Sequence, residues 1–170
     1  MTWKIHFLLL FAGMAILSSC RVSYSFTGAS ISPEVKTIRI DNFPNNAQLV
    51  NPTLSQELTD ALRDRFQSQT NLIIVNQGGD LVLEGEITGY NTQPIAIQSD
   101  DKAAMNRLTI SLKVTFINTN DESQSFEKQN FTRYDDYPSN LDFNSVQDSY
   151  VPLIIDYLVD DIFNKAVVNW

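Results

Sequence analysis

The clearest hydrophobic pattern in the chain is an alternation of apolar and polar residues from Leu108 to Phe116. A period of two predicts a β-strand that is covered on one face only. A similar pattern predicts a strand from Leu81 to Tyr90, with Gly85 and Gly89 on its apolar face. Shorter patterns predict three more strands, at residues 35–41, 72–75 (a short buried strand) and 125–134.

The last of these predicted strands breaks the alternation. Phe126 and Phe131 have opposite parity, so an unbroken strand would expose one of the two aromatic rings. One inserted residue would return both rings to the same face. We therefore predict a β-bulge between Lys128 and Asn130.

The segment after Asn51 has helical spacing. Asn51 is a good N-cap, and Pro52 suits the first helical position because its missing N–H would have no partner there. The predicted apolar stripe comprises Leu54, Leu58, Ala61, Leu62 and Phe66.

A second helix is predicted near the C-terminus, after residues 135–138. Ser145 and Asp148 resemble a capping box at its start. Because Pro152 lies inside the helical pattern, we expect a kink there or a helix that restarts near Tyr150. Its broad apolar stripe comprises Val151, Ile154, Ile155, Leu158, Val159, Ile162, Phe163 and Ala166.

Together these elements predict an α+β fold. Two amphipathic helices and a sheet with one apolar face favour a two-layer sandwich, a four- to five-stranded mixed sheet with two helices packed on one face. The other face of the sheet should stay polar. Residues 91–106 are long for a connection, and we expect them to form a tip loop or a long hairpin extension.

The N-terminus has the features of a secretory signal. Lys4 precedes a mostly apolar run from Ile5 to Leu17, which is too short to cross a hydrocarbon core that needs about 20 residues. The following Leu17-Ser18-Ser19-Cys20 resembles a bacterial lipobox. That resemblance implies cleavage before Cys20, with diacylglycerol on its sulfur and an acyl chain such as palmitate on its amine. The alternative is a plain secreted protein with a free thiol.

We therefore divide the chain into three parts: a signal peptide (1–19), a lipidated N-terminus with a Ser-rich tether (20–34) and a single α+β domain (35–170). Removal of the signal peptide moves the net charge from −8 to −9. This acidic balance opposes nucleic-acid binding, which depends on Lys and Arg. It also opposes a polybasic membrane contact.

Candidate chemistry is sparse. The mature chain would contain one cysteine and no histidine, which excludes Cys/His metal sites, His-based triads and an internal disulfide. The carboxylate pairs Glu84/Glu86, Asp135/Asp136 and Asp160/Asp161 have no neighbouring nucleophile and fit surface solvation better than acid–base catalysis. We predict no cofactor, metal or catalytic residue, and a binding or assembly protein.

Several phrases of the sequence, taken in order, resemble the Bacteroidetes-type branch of the LptE family of outer-membrane lipopolysaccharide-assembly lipoproteins. The resemblance covers the whole chain. The phrases are Tyr24-Ser25-Phe26-Thr27-Gly28, Asn51-Pro52-Thr53-Leu54-Ser55-Gln56, Gly85-Glu86-Ile87-Thr88, Asn106-Arg107-Leu108-Thr109-Ile110, Asp136-Tyr137-Pro138 and the stretch from Asp161 to Trp170.

The resemblance implies a place and a partner. Such a protein plugs the lumen of the LptD β-barrel, supports assembly of that barrel, and assists transport of lipopolysaccharide to the outer leaflet. Arg21 after Cys20 lacks the Asp of inner-membrane retention, so the resemblance favours the periplasmic side of the outer membrane. It also implies basic contacts to the lipid A head near the far end of the sheet. The nearest candidates are Lys102 and Arg107, although Asp100 and Asp101 would weaken the attraction.

A second function class stays open. The chain could be a stand-alone periplasmic lipoprotein that binds a small apolar ligand or a peptide between the helices and the sheet. That function requires a sizeable apolar cavity, whereas a plug requires a closed core and a large polar contact surface.

Overall fold

The computed structural model describes residues 31–49, 51–95 and 105–168. The described strands and helices follow one another along the chain with a short 3₁₀ turn at Glu122–Gln124. In order they are β1 (Thr37–Ile40), α1 (Leu54–Gln69), β2 (Ile73–Ile74), β3 (Leu81–Ile95), β4 (Met105–Asn118), β5 (Phe126–Pro138) and α2 (Phe143–Val167).

The five strands form one mixed sheet in the order β2-β1-β3-β4-β5. β1 runs parallel to both β2 and β3, so β1, α1 and β2 form a β-α-β unit, while β3, β4 and β5 form an antiparallel meander. Both helices pack on the same face of this sheet. The predicted α+β sandwich is therefore confirmed.

The core lies between the helices and the sheet, as the alternation in β4 predicts. Every even-numbered residue of β4 from Leu108 to Phe116 is buried. The stripe of α1 is buried too, with Ala61 only partly so, and the predicted stripe of α2 is buried throughout. The rings of Phe66 and Phe163 meet edge to face at 5.1 Å and join the two helices.

β3 contains a bulge that corrects one prediction. The pairing with β4 shifts between Ile87 and Gly89, so that Gly89 lies opposite Ser111 on the face away from the helices. Gly89 is therefore not on the apolar face of β3, and Tyr90 is buried in the core instead. The extra residue at Thr88 reverses the parity of the rest of the strand.

The bulge predicted in β5 is confirmed, slightly earlier than expected. Val114 pairs with Gln129 and Phe116 with Phe126, so the extra residue lies within residues 127–128. Lys128 has a φ of 50°, and its N–H donates to the Thr115 hydroxyl at 3.1 Å. The rings of Phe126 and Phe131 consequently share the core face, 6.1 Å apart.

The predicted helix starts are wrong at both helices. α1 begins at Leu54, after Thr53, because Asn51 Oδ1 accepts from the Thr53 N–H and hydroxyl at 3.0 Å in a preceding turn. α2 begins at Phe143, and the carboxylate of Asp142 accepts from the Ser145 N–H. α2 continues through Pro152 to Val167 and does not restart near Tyr150.

Two strand predictions also need correction. β5 continues past its predicted end at Tyr134 to Pro138, because residues 135–138 pair with residues 105–108. β2 is an edge strand and is not buried: the side chain of Ile73 is 64% exposed. The hairpin extension expected within residues 91–106 is present, since β3 runs to Ile95 and β4 starts at Met105.

None of the described helices is long and apolar enough to cross a membrane.

Candidate functional site

The sheet has an outer face, defined here as the side away from the helices. The odd-numbered residues of β4 lie on it, and small hydroxyl side chains occupy its centre: Thr132 Oγ1 donates to Ser111 Oγ at 3.0 Å. Lys113 Nζ lies 4.0 Å from Glu86 Oε1. Ile117 and Tyr134 are exposed apolar exceptions. The face is thus mostly polar, with its charges largely matched.

Six side chains form a distal cluster on the outer face near the β3–β4 hairpin. The strand pairing places them in two rows across β3, β4 and β5, one row of amide, hydroxyl and phenol and one of amide, guanidinium and carboxylate. The rows are Asn91–Thr109–Tyr134 and Gln93–Arg107–Asp136. Such a mixture of donors and acceptors suits recognition of a polar ligand and not catalysis.

Arg107 is the centre of this distal cluster. Its Nε lies 2.7 Å from Asp136 Oδ1 and its Nη2 lies 2.9 Å from Asp136 Oδ2, a bidentate ion pair. Its Cζ lies 3.7 Å from the centre of the Tyr134 ring, which adds a cation–π contact. Hydrogen bonds from Arg107 hold the pKa of Asp136 below its usual value of 3.8. The guanidinium is therefore held in one orientation.

The core side of the same region anchors the hairpin to the start of α2. Gln147 Nε2 donates to the Tyr90 hydroxyl at 3.0 Å. The ring of Tyr137 lies 5.8 Å from that of Tyr150, and its hydroxyl shares a hydrogen bond with Thr92. Because these contacts join three elements, the distal cluster rests on a rigid base.

Of the candidate site residues predicted from the sequence, the structure describes only some. Arg107 lies in the distal cluster, whereas Cys20 and Lys102 lie outside the described residues. Sequence reasoning missed Tyr134 and Asp136 as neighbours of Arg107. The signal that could have found them is the bulge in β5, which sets the register that brings Asp136 opposite Arg107.

The carboxylate pairs noted in the sequence take part in ion pairs between elements. Asp160 of α2 pairs with Arg65 of α1. Asp161 accepts two hydrogen bonds of 2.6 Å from Arg133 of β5. The first contact joins the two helices and the second joins α2 to the sheet. The sequence favoured surface solvation for these residues and did not predict the ion pairs.

A group of hydrogen bonds lies at the opposite end of the sheet, where β1 begins. Asp80 Oδ2 accepts from the backbone N–H groups of Lys36 (2.9 Å) and Thr37 (3.0 Å) and from the Thr37 hydroxyl (2.9 Å). These bonds, the Lys36 N–H first, lower the pKa of Asp80 from 3.8. The carboxylate thus holds the backbone at the start of β1 in place.

The described residues contain no group of three or more His, Cys, Asp or Glu side chains placed to hold a metal ion. A cleft beside Leu81 and Phe116 has a volume of about 10 Å³, also lined by Ile31 and Val167. It has room for about one water molecule. This cleft is too small for the apolar ligand that the stand-alone lipoprotein would bind.

A family model described as "LptE: Lipopolysaccharide-assembly" matches residues 35–166 of the chain. No curated protein sequence gives a significant match.

Solved structures resemble this chain at low sequence identity. A putative neuraminyllactose-binding hemagglutinin homolog from Helicobacter pylori has a TM-score of 0.54 at 9% identity, over 84% of this chain and 89% of that chain. A hypothetical protein from Chlamydia trachomatis has a TM-score of 0.52 at 9% identity, over 79% and 99%. The rare lipoprotein B from Shewanella oneidensis has a TM-score of 0.44 at 13% identity, over 75% and 89%. The first two likenesses establish a common fold.

Proposed function

Because this chain belongs to the LptE family of lipopolysaccharide-assembly proteins, we propose that it plugs an LptD-type β-barrel in the outer membrane, supports assembly of that barrel and assists lipopolysaccharide transport. The family match carries this proposal, since it extends over every described strand and nearly all of α2. The family consists of non-enzymatic lipoproteins. The role of the chain is accordingly one of binding and assembly.

The outer face supports the plug role. The interior of an outer-membrane barrel is polar, and a plug must offer it hydrogen-bonding groups without burying unpaired charge. Thr109, Ser111 and Thr132 supply small hydroxyls, and Lys113 and Glu86 form a matched charge pair. A surface of this kind can meet a polar wall through direct hydrogen bonds and bridging water.

An anchor at the N-terminus completes the proposal. A diacylglycerol and an acyl chain on Cys20 would hold the protein on the periplasmic side of the outer membrane, because two or more chains are needed for stable attachment. The wild-type chain should incorporate labelled palmitate in growing cells, and Cys20→Ala should not. If Cys20→Ala incorporates the label, the anchor is not at Cys20.

The plug role is tested by crosslinking in intact cells. A photo-crosslinking residue at Ser111, on the outer face, should give a product with the barrel protein, and the wild-type chain should co-purify with that barrel in mild detergent. Cells depleted of the barrel protein are the control and should lose the product. A chain that recovers no barrel by either method would refute the proposal.

Direct contact with lipopolysaccharide is the finer part of the proposal. We assign Arg107 and Lys102 as contacts for the phosphate groups of lipid A. The double variant Lys102→Ala, Arg107→Ala should bind purified lipopolysaccharide more weakly than the wild-type chain in a direct titration. Equal affinities would remove both residues from the assignment.

A further inference from the structure

The distal cluster combines unused hydrogen-bonding groups with no net charge. Within residues 31–49, 51–95 and 105–168, the side chains of Asn91, Gln93 and Thr109 have no hydrogen-bond partner. Arg107 and Asp136, the two charged members of the cluster, neutralise each other. A neutral ligand with several hydroxyl groups fits such a surface, because each hydroxyl can both donate and accept a hydrogen bond.

Tyr134 adds an exposed aromatic ring to these polar groups. The Arg107 guanidinium lies against one face of the ring, 3.7 Å from its centre. Tyr134 is nonetheless 51% exposed, so the opposite face is open to solvent. The face of an aromatic ring is negative and attracts the partly positive C–H groups of another molecule. A sugar ring matches this surface, since it has C–H groups on its faces and hydroxyl groups around its edge.

The distal cluster has the dimensions of one or two sugar rings. Neighbouring strands of a sheet lie about 4.8 Å apart, so the three side chains of each row span about 10 Å. Each oxygen of Asp136 accepts one hydrogen bond from Arg107 and has another lone pair for a ligand hydroxyl. Arg107 also keeps N–H groups that Asp136 does not use, and these can reach a phosphate carried by the sugar.

We propose that the distal cluster binds a hexopyranose of lipopolysaccharide, stacked on the open face of Tyr134 and hydrogen-bonded to Asn91, Thr109 and Asp136. The proposal rests on the proposed function, in which the chain contacts lipopolysaccharide directly, and it adds a neutral sugar contact to the phosphate contacts. Because contacts with α2 hold the base of the cluster, the binding groups are in place before the sugar arrives.

The test uses two ligands, one with phosphate groups and one without. Gentiobiose is a neutral disaccharide with the same linkage as the sugars of lipid A, and purified lipopolysaccharide is the complete ligand. Each is titrated into the full chain in a detergent that contains no sugar. Saturation-transfer NMR measures the affinity for gentiobiose, and a direct titration measures the affinity for lipopolysaccharide. The wild-type chain should bind both.

Tyr134→Leu should weaken the binding of both ligands by about threefold to tenfold, because it removes the aromatic face. Tyr134→Phe keeps that face and should bind as the wild-type chain does. Tyr157→Leu is the matched control, since Tyr157 is 48% exposed but lies on α2, and it should change neither affinity. Thermal unfolding of each variant verifies that the fold is intact.

The hydrogen-bonding part of the cluster has its own pair of variants. Asn91→Ala should weaken gentiobiose binding by about twofold to tenfold, because it removes an amide that can donate and accept. Asn130→Ala removes an exposed amide on the outer face, opposite Lys113 and outside the distal cluster. It should leave the affinity for gentiobiose unchanged.

The contrary results are distinct. If the wild-type chain does not bind gentiobiose, or if Tyr134→Leu binds it equally well, Tyr134 is not part of a sugar site. If Tyr134→Leu weakens the binding of gentiobiose but not of lipopolysaccharide, the assignment of the sugar to lipopolysaccharide is overturned. In both cases, weaker lipopolysaccharide binding by the double variant Lys102→Ala, Arg107→Ala would leave the phosphate contacts standing. A wild-type chain that binds no lipopolysaccharide would overturn the direct contact itself.

Discussion

The two faces of the sheet use the same strands in opposite ways. On the face toward the helices, β4 contributes five fully buried apolar side chains that pack against α1 and α2. On the outer face the intervening residues of β4 are polar and partly exposed, and Ser111 and Lys113 contact side chains of the neighbouring strands. The first face supplies the stability of the fold, and the second is the one that we propose for contact with partners and ligands.

The largest expected effect lies on the helix side of the sheet. Phe66 is fully buried and meets Phe163, so Phe66→Ala should lower the free energy of unfolding by about 3–5 kcal/mol. Thr109→Ala, on the outer face, should change it by less than about 1 kcal/mol. Urea unfolding of the two variants measures the contrast. Similar losses would show that the outer face also carries the fold.

Two glycines of β3 give a closer comparison of the two faces, because the bulge at Thr88 puts them on opposite faces. A Cβ on Gly85 would lie 2.6 Å from Phe43 Cε1 and 2.6 Å from the Lys113 carbonyl oxygen, so Gly85→Ala should cost about 1–3 kcal/mol by overpacking. A Cβ on Gly89 would lie 3.1 Å from Ser111 Cβ, which can shift toward solvent. Gly89→Ala should cost less. Urea unfolding measures both losses of unfolding free energy. An equal loss at the two glycines would contradict the placement of Gly89 on the outer face.

The smallest effect is expected at Asp80 and depends on pH. Because its folded pKa is lowered, the ionised carboxylate adds stability that is fully present above 3.8 and is lost as the pH falls through the folded value. Asp80→Asn should therefore lower the melting temperature at pH 7, and the gap to wild type should narrow in acid. Calorimetry from pH 7 to pH 2 measures this difference in melting temperature. Asp148→Asn, at an exposed site on α2, controls for loss of charge; a gap that widens in acid would refute the role of Asp80.

The sequence predicted the fold well wherever a single periodicity continued through an element. Alternation in β4 and the two helical stripes identified the core, and the conflicting parity of Phe126 and Phe131 revealed the bulge in β5. The bulge at Thr88 left no such conflict, because Gly89 fits either face and Tyr90 accepts burial or exposure. Parity alone therefore could not place Tyr90.

Helix ends and the distal cluster were harder to predict, for different physical reasons. Pro152 costs one helical hydrogen bond, but the buried residues on both sides of it outweigh that loss and keep α2 continuous. Arg107 and Asp136 are far apart in the chain and meet only through the strand register. The local pattern reveals the bulge in β5, but the contact also requires the pairing of β4 with β5, which is tertiary structure.

The position of β5 at the margin of the sheet has a further consequence. A long marginal strand offers unpaired backbone groups to neighbouring molecules, and proteins concentrated on a membrane meet one another often. Here the left-handed residue Lys128 bends the strand near its start, and Arg133 and Asp135 place charge along the rest. Both devices oppose strand-to-strand polymerisation, so the protein can be crowded on a surface and still remain available to its proper partner.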